Sequence, residues 1–209
     1  MKVKIAKGNS KMGKVAHVNL PPCRTCNREL PCYEGGCYSQ KAYRMYPGTR
    51  EAWDNNWLMQ HKFRDEYFLQ IGAYINAKRP DLFRWHSAGD VPDGDYMRRI
   101  YEMAYLRDWS ESSTKFLLFT KKYELLMNYV DRRKPVFRDH ANLKVVVSAW
   151  PGLVLPKKTT DRFPVAYMRD PVLPDIRIPE DARPCSGRCD ECGLCWELKT
   201  GESMVFDKH

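Results

Sequence analysis

Leu82-Phe83-Arg84-Trp85-His86-Ser87-Ala88-Gly89-Asp90 is the stretch that decides the fold. Leu82 to His86 reads as a strand and Ser87 to Asp90 as a tight loop. Helical spacing follows from Asp93 to Leu106, with Asp93 placed to cap the first turn. The same unit then recurs. Lys115-Phe-Leu-Leu-Phe-Thr120 reads as a second strand, with a helix over Tyr123 to Arg133. Leu143-Lys-Val-Val-Val-Ser148 reads as a third strand, and Phe163-Pro-Val-Ala-Tyr-Met168 as a fourth. Near-continuous apolar strands that alternate with helices predict a parallel sheet covered by helices. The expected architecture is α/β, a partial (β/α) barrel.

In such sheets chemistry gathers at the carboxyl ends of the strands. Those ends are polar here: His86, Ser87 and Asp90; Thr120, Lys121 and Lys122; Ser148 and Trp150. Strand alternation predicts Arg84 and His86 on one side of the sheet. His86 reads either as a proton donor or ligand, or as a hydrogen-bonded structural histidine. Asp90 reads either as an anchor for an amine or hydroxyl, or as a turn residue. Lys121 and Lys122 are expected to split, one toward the rim and one toward solvent, and Lys121 is the candidate for neutralising a phosphate.

Upstream, residues 2–6 and 14–20 predict a β-hairpin around a turn from Lys7 to Gly13, ended by Leu20-Pro21-Pro22. Tyr38 to Tyr46 predicts a short helix ended by Pro47-Gly48. From Arg50 to Lys78, apolar residues including Trp53, Trp57, Phe63, Tyr67, Phe68, Ile71 and Ile75 recur at three and four. That spacing predicts one long helix, or two, with a buried face. Asn55, Asn56, His61 and Arg64 read as surface or local hydrogen-bonding residues. Downstream, Pro171, Pro174, Pro179 and Pro184 mark residues 169–184 as an extended linker. Glu202 to His209 reads as a short strand, and the terminal His209 reads either as a disordered imidazole or as one that the strand aims at the site. The chain is read as a single domain over 1–209: hairpin 1–22, cysteine loop 23–37, barrel-like core 38–168, linker 169–184 and a cysteine-rich segment 185–209.

The cysteines carry the chemistry. Cys185, Cys189, Cys192 and Cys195 are spaced x3, x2 and x2, and Trp196 follows as an apolar lid. Cys23, Cys26, Cys32 and Cys37 are spaced x2, x5 and x4, with Gly35-Gly36 and Tyr33 and Tyr38 beside them. Thiolates gathered so closely repel one another unless a cation or cluster neutralises them. Disulfides are the alternative for the C-terminal run, and simple burial of one or two cysteines for the N-terminal one. The start, Met1-Lys-Val-Lys-Ile-Ala-Lys, has no apolar h-region, and no run approaches the roughly 18 apolar residues of a membrane span. A cytoplasmic protein with reduced thiols and no membrane partner is expected, so the eight cysteines point to metal. The net charge of +9 favours a polyanionic partner, such as nucleic acid, a nucleotide or a phosphate-bearing cofactor; the alternative is a solvated basic surface. No Walker loop and no Gly-x-Gly-x-x-Gly loop is present.

Three stretches together resemble a known family. Asn19-Leu-Pro-Pro-Cys23 with the following cysteines and Cys37-Tyr38, Arg84-Trp-His-Ser-Ala-Gly-Asp90, and Cys185 to Trp196 look like the phage gene-product-88-like proteins, found in phages and gut bacteria. A phage-encoded chain would work in the host cytoplasm. The order of parts is also similar to radical S-adenosylmethionine enzymes, with a cysteine loop after the first strand, helices, and then a loop that holds the amino group of the methionine. That likeness implies a 4Fe–4S cluster, and S-adenosylmethionine held by Ser87, Gly89 and Asp90. The cysteine loop departs from those enzymes, which use three cysteines at x3 and x2 and leave one iron open.

The preferred expectation is an iron–sulfur protein with one or two 4Fe–4S clusters on a radical-type or redox enzyme, its cavity lined by Arg84, His86, Asp90 and Lys121. The alternative is a zinc-stapled nucleic-acid-binding protein. A zinc-activated water at His86 or Asp90 ranks last, because cysteine-only sites are usually closed.

Overall fold

Apolar side chains on both faces of successive strands leave the backbone one economical arrangement, a sheet buried on both sides. The computed structural model describes residues 1–34, 37–109, 114–132, 142–171 and 177–208. Among these the chain runs β1 (Ile5–Ala6), β2 (Ala16–Val18), the one-turn helices α1 (Pro22–Thr25) and α2 (Pro31–Glu34), α3 (Tyr38–Met45), α4 (Pro47–Lys62), α5 (Arg64–Lys78), β3 (Leu82–Trp85), α6 (Gly94–Trp109), β4 (Lys115–Thr120), α7 (Tyr123–Arg132), β5 (Leu143–Ala149), α8 (Lys157–Thr160), β6 (Val165–Arg169), β7 (Arg183–Pro184), α9 (Cys189–Cys192), α10 (Leu194–Glu197) and β8 (Ser203–Asp207). Gly35-Gly36, Arg133, Pro174 and His209 lie outside the described residues.

The strand order is β1-β2-β3-β4-β5-β6-β8-β7. All neighbours are parallel except β1 and β2, which form the expected hairpin, shorter than 2–6 and 14–20. The sheet is open, with β1 and β7 as its edges, so the expected barrel gives way to an open, mostly parallel sheet. Both edges are two-residue strands, which supply too few ladder bonds for closure, and Pro184 brings no N–H.

Side-chain alternation sorts the two faces. Phe83, Trp85, Phe116, Leu118, Val145 and Val147 pack under the helices, against Met59, Tyr67, Ile71, Met97, Ile100 and Leu126. Leu117, Val146, Ala166 and Met204 point the other way, under Met12, Val15, Trp196 and Leu198. The second face is therefore covered by the hairpin loop and the C-terminal cysteine segment. Pairing of Val18 with Trp85, Trp85 with Leu118 and Leu118 with Val145 levels the strand ends into one rim.

Several elements differ from expectation for local reasons. The stretch from Arg50 to Lys78 is two helices, broken at Phe63 (φ −136°, ψ 52°). Pro47 ends α3 and also opens α4, because a first-turn proline loses no helical hydrogen bond. The end of the linker forms β7, on the edge of the sheet. Asp93 does cap α6, accepting the Tyr96 N–H at 3.0 Å. Asn56 is a correction: it is fully buried. Its Oδ1 accepts the Lys4 N–H at 2.8 Å, and its Nδ2 donates to the Lys4 carbonyl at 2.8 Å and the Asn19 carbonyl at 3.1 Å. This side chain ties the edge strand to α4. Asn56→Ala leaves those backbone groups unpaired and is expected to cost about 3 kcal/mol, read as a lowered denaturant midpoint at unchanged slope.

Candidate metal centres and the strand-end rim

The rim begins where β2 stops. Pro21 and Pro22 donate no N–H, so the strand cannot continue past Leu20 as ladder. Asn19 fills the gap. Its buried Oδ1 accepts the Ser87 N–H (2.8 Å), the Ser87 hydroxyl (2.9 Å) and the Ala88 N–H (3.1 Å). The Leu20 N–H donates to the Ala88 carbonyl at 3.2 Å. Gly89 has φ +81°, and a Cβ there would sit 2.6 Å from the Leu20 carbonyl oxygen and 2.8 Å from Thr25 Oγ1. Only glycine allows that approach.

Asp90 locks the other side of the seam. Its N–H donates to Thr25 Oγ1 at 3.0 Å, and the Thr25 hydroxyl donates to the Pro21 carbonyl at 3.1 Å. Its buried carboxylate accepts the Val91 N–H (2.7 Å), the Thr120 hydroxyl (2.7 Å) and the Lys121 N–H (2.9 Å). An ionised carboxylate offers about four acceptor positions, so most of Asp90 is committed to holding loops together. Asn19 and Thr25 were not singled out from the sequence as functional. Asn19 is a polar strand-end residue on the same rim as Thr120, which was the available signal; Thr25 stands between two cysteines that draw the eye first.

The N-terminal cysteine loop lies over this rim. Cys26, Cys32 and Cys37 are free thiols; the side chain of Cys23 lies outside the described ones. Cys32 packs with Leu30, Trp150 and Met168. Burial pushes the Cys26 thiol up to about 12; the charge of Asp90 adds to this and Lys121 opposes it, while Cys37 and Cys32 add further. Cys32 is raised by burial, again against Lys121. Lys121 Nζ sits 4.8 Å over the Trp150 ring. Lys122 turns back to the Pro92 carbonyl (3.2 Å) and does not extend into solvent. Ser148 lies within β5, its carbonyl accepting the Tyr123 hydroxyl, and the Tyr38 hydroxyl donates to the Ser87 carbonyl.

The C-terminal cysteines occupy the face opposite the long helices, on the one-turn helices α9 and α10. Cys185, Cys189, Cys192 and Cys195 are free and line one recess together with Arg188, Trp196 and Met204. The segment is pinned at several points. The Cys185 N–H donates to the Val205 carbonyl at 2.8 Å. Trp196 Nε1 donates to the Lys115 carbonyl at 3.1 Å, and Lys115 pairs with Glu197 at 2.5 Å. The Lys14 N–H donates to Asp190 at 2.9 Å. Trp196, expected as a lid, thus both lines the recess and anchors the segment to β4. Burial pushes Cys195 up to about 12, with Arg84 opposing and the other three thiols adding. Cys189 is raised by burial, with Arg84 and Lys11 opposing and Cys185 and Cys192 adding. Among the described residues no three His, Cys, Asp or Glu groups stand close enough to hold a metal ion as placed. In kind, the donor set fits a zinc ion or an iron–sulfur cluster: four unoxidised thiols at one recess with positive charge beside them. Loading one requires the thiols to give up the protons that burial holds on them.

Arg84 and His86 part company. Arg84 belongs to the cysteine face, its guanidinium 4.7 Å over the Phe119 ring, with Nη1 3.4 Å from Met12 Sδ. β3 ends at Trp85, and His86 takes φ +54°, which breaks the two-residue alternation. Its ring lies 5.4 Å from Tyr96 and 6.3 Å from Trp85, fully buried, with neither nitrogen hydrogen-bonded. The expected cavity of Arg84, His86, Asp90 and Lys121 is therefore divided: Asp90 and Lys121 at the rim with Cys26 and Cys32, Arg84 across the sheet with Cys189 and Cys195, and His86 in the core.

An open, mostly parallel α/β sheet with one cysteine group over its rim and another on the face opposite its long helices defines the class of protein. The chain belongs to the gene product 88 family, which matches residues 2–198 and so takes in all eight cysteines and the seam from Asn19 to Asp90. None of the curated proteins and none of the solved structures matches the chain, so no radical S-adenosylmethionine enzyme is among its matches. No helix among the described residues is long and apolar enough to cross a membrane.

Two outcomes follow. Gly89→Ala is expected to destabilise the fold by about 3 kcal/mol through strain and the clash with Leu20, measured by thermal or denaturant unfolding. Burial, with the charges of Arg84 and Lys122, holds His86 down from 6.5 to about 3. Because the folded value lies below the unfolded one, the unfolded chain binds the extra proton between them. Stability from this group is complete above pH 6.5 and falls as pH drops toward 3, at about 1.4 kcal/mol per pH unit. His86→Asn, which tolerates the positive φ, is expected to flatten the stability–pH curve by that slope.

Proposed function

We propose that this protein binds iron–sulfur clusters at its two cysteine groups and carries out redox chemistry at the strand-end rim on a small-molecule or nucleotide substrate. The observation that carries the reading is the recess lined by Cys185, Cys189, Cys192 and Cys195, four free thiols of which Cys189 has both Arg84 and Lys11 opposing its protonation. The rim group supports it, because the charge of Lys121 opposes the protonation of Cys26 and Cys32. A bound cluster would supply one-electron transfer. Substrate would meet it at the carboxyl ends of the strands, where Lys121 offers a cation to a phosphate.

A radical S-adenosylmethionine reaction demands more, namely three-cysteine ligation with an open iron and a free acceptor for an amino group. Asp90 already accepts three hydrogen bonds, so the weight of the proposal rests on cluster binding and not on that co-substrate. Zinc is the second reading. Its support is the pinning of the C-terminal segment to β4 and β8, which suits a structural staple, together with the net charge of +9 for nucleic acid.

Purification without oxygen, followed by iron and sulfide assays, tests the choice. A brown protein with about four irons per chain means one cluster, and about eight means two; a colourless zinc protein sinks the iron–sulfur reading. In the two-cluster case, Cys189→Ser with Cys195→Ser is expected to halve the iron per chain and leave the rim group loaded.

A further inference from the structure

Charge is unevenly spread along this chain. Residues 1–62 carry eleven Lys and Arg against four Asp and Glu, a net +7 of the whole chain's +9. Residues 1–28 hold no acid at all. This basic part builds β1, β2 and α1 to α4, and a recess of about 280 Å³ lies within it. Val3, Lys4 and Ile5 line it from the β1 side, Ala52 and Trp53 from α4, and the buried Asn19 lines it as well.

Both walls are held in place. The Val3 N–H donates to Gln70 Oε1 at 2.8 Å, and Asn55 Nδ2 donates to the Lys2 carbonyl at 2.8 Å. With Asn56 on Lys4, three amide side chains of α4 and α5 grip residues 2–4. On the other wall the Tyr43 ring backs Trp53, with centroids 6.1 Å apart and 20° between the planes. The Tyr43 hydroxyl donates to Asp54 at 2.7 Å. One turn on, Trp57 stacks with His61 at 5.3 Å and 11°. Trp53, Trp57 and His61 recur at four, so α4 carries a row of rings spaced about 6 Å along its axis. Trp53 and Trp57 are half-buried and His61 is exposed. Lys2, Lys4 and Arg50 are exposed, with Arg50 one turn before Trp53. The acids on this part of α4 are Glu51 and Asp54, and Asp54 is engaged by Tyr43 and stands 3.9 Å from Arg24.

We infer that the recess between β1 and α4 binds single-stranded nucleic acid, with one base stacked on Trp53 and the adjoining phosphates met by Lys2, Lys4 and Arg50. A flat indole among Val3, Ile5 and Ala52 suits the face of a base, and the cations around it suit the backbone. The volume falls just below the roughly 300 Å³ at which pockets for small molecules begin, which suits one base and not a folded ligand. A duplex does not qualify, because its bases are already stacked on one another and paired. Trp57 and His61 continue the ring surface past the recess, where the next bases of a strand would run. The inference sharpens the nucleic-acid part of the zinc reading but rests on this recess, not on any metal.

The test uses the full chain, purified without oxygen, and a fluorescent oligothymidylate of about ten nucleotides, within the range that one such groove covers. Binding is read by anisotropy over a series of salt concentrations. Trp53→Ala is expected to weaken binding about tenfold, as loss of one stacked base does, with an unchanged salt slope. Trp53→Phe, which keeps a ring, restores most of it. Lys4→Gln is expected to make the slope of log K against log salt shallower by about 0.7, the share of one phosphate contact on a single strand. A strand of equal length without bases is expected to bind the parent about tenfold more weakly. Equal binding of the baseless strand, of an acidic peptide or of a duplex overturns the inference, because backbone charge alone would then explain it. A parent chain that binds no oligothymidylate at low salt overturns it too. So does a Trp53→Ala protein with the parent's circular dichroism and the parent's affinity, or a Lys4→Gln protein with the parent's slope. Should Trp53→Ala not fold, the baseless strand and the exposed Lys4 decide the matter. None of these readouts reports on the cysteines, so failure here leaves the iron and sulfide assays to judge the metal proposals separately.

Discussion

Asp90 touches three pieces of chain at once, two through its carboxylate and one through its amide. It holds its own loop through Val91 and the end of β4 through Thr120 and Lys121, while its amide reaches Thr25 in the cysteine loop. In a buried setting such a network is strong when complete and costly when any member is missing. Asn19 repeats the arrangement one strand over, gripping Ser87 and Ala88. Together they fix where the cysteine loop sits relative to the strand ends, and Gly89 must be glycine because the two backbones meet there. Whatever the rim thiols bind, their position is inherited from this seam.

One strand serves both cysteine groups. Phe119 and Thr120 are consecutive on β4, so their side chains leave opposite faces of the sheet. Phe119 seats Arg84 on the side of Cys189 and Cys195. Thr120 holds Asp90 on the side of Cys26 and Cys32. The thiols thus fall into two environments, one over the rim and one on a face of the sheet, although Phe119 and Thr120 are a single peptide unit apart along the chain.

How much of this was legible depended on how local the cause was. The strand over Lys115 to Thr120 could be read to the residue, because both faces are apolar and the run is bounded by charge. Helix entry at Asp93 was legible as a cap. Openness of the sheet was not, since it depends on two-residue edges, one of them hidden among prolines at Arg183-Pro184. Asn56 looked like a polar helix surface because its partner, the backbone of Lys4, is distant in sequence. Arg84 and His86 were placed together by counting alternation past the point where the strand ends; the positive φ of His86 is invisible to that count. The cysteine spacings announced two groups, but nothing in them announced that one lies over the strand-end rim and the other on a face of the sheet.

The position of β8 has a consequence for the order of assembly. This strand follows the C-terminal cysteines in sequence, yet it lies between β6 and β7, and its Val205 carbonyl anchors Cys185. A growing chain on the ribosome therefore exposes all four of those thiols before the surface that organises them exists. The recess closes only when the following strand slides into place. Assembly of the C-terminal cysteine group is tied to completion of the sheet, whereas the rim group can be assembled from segments made well before it.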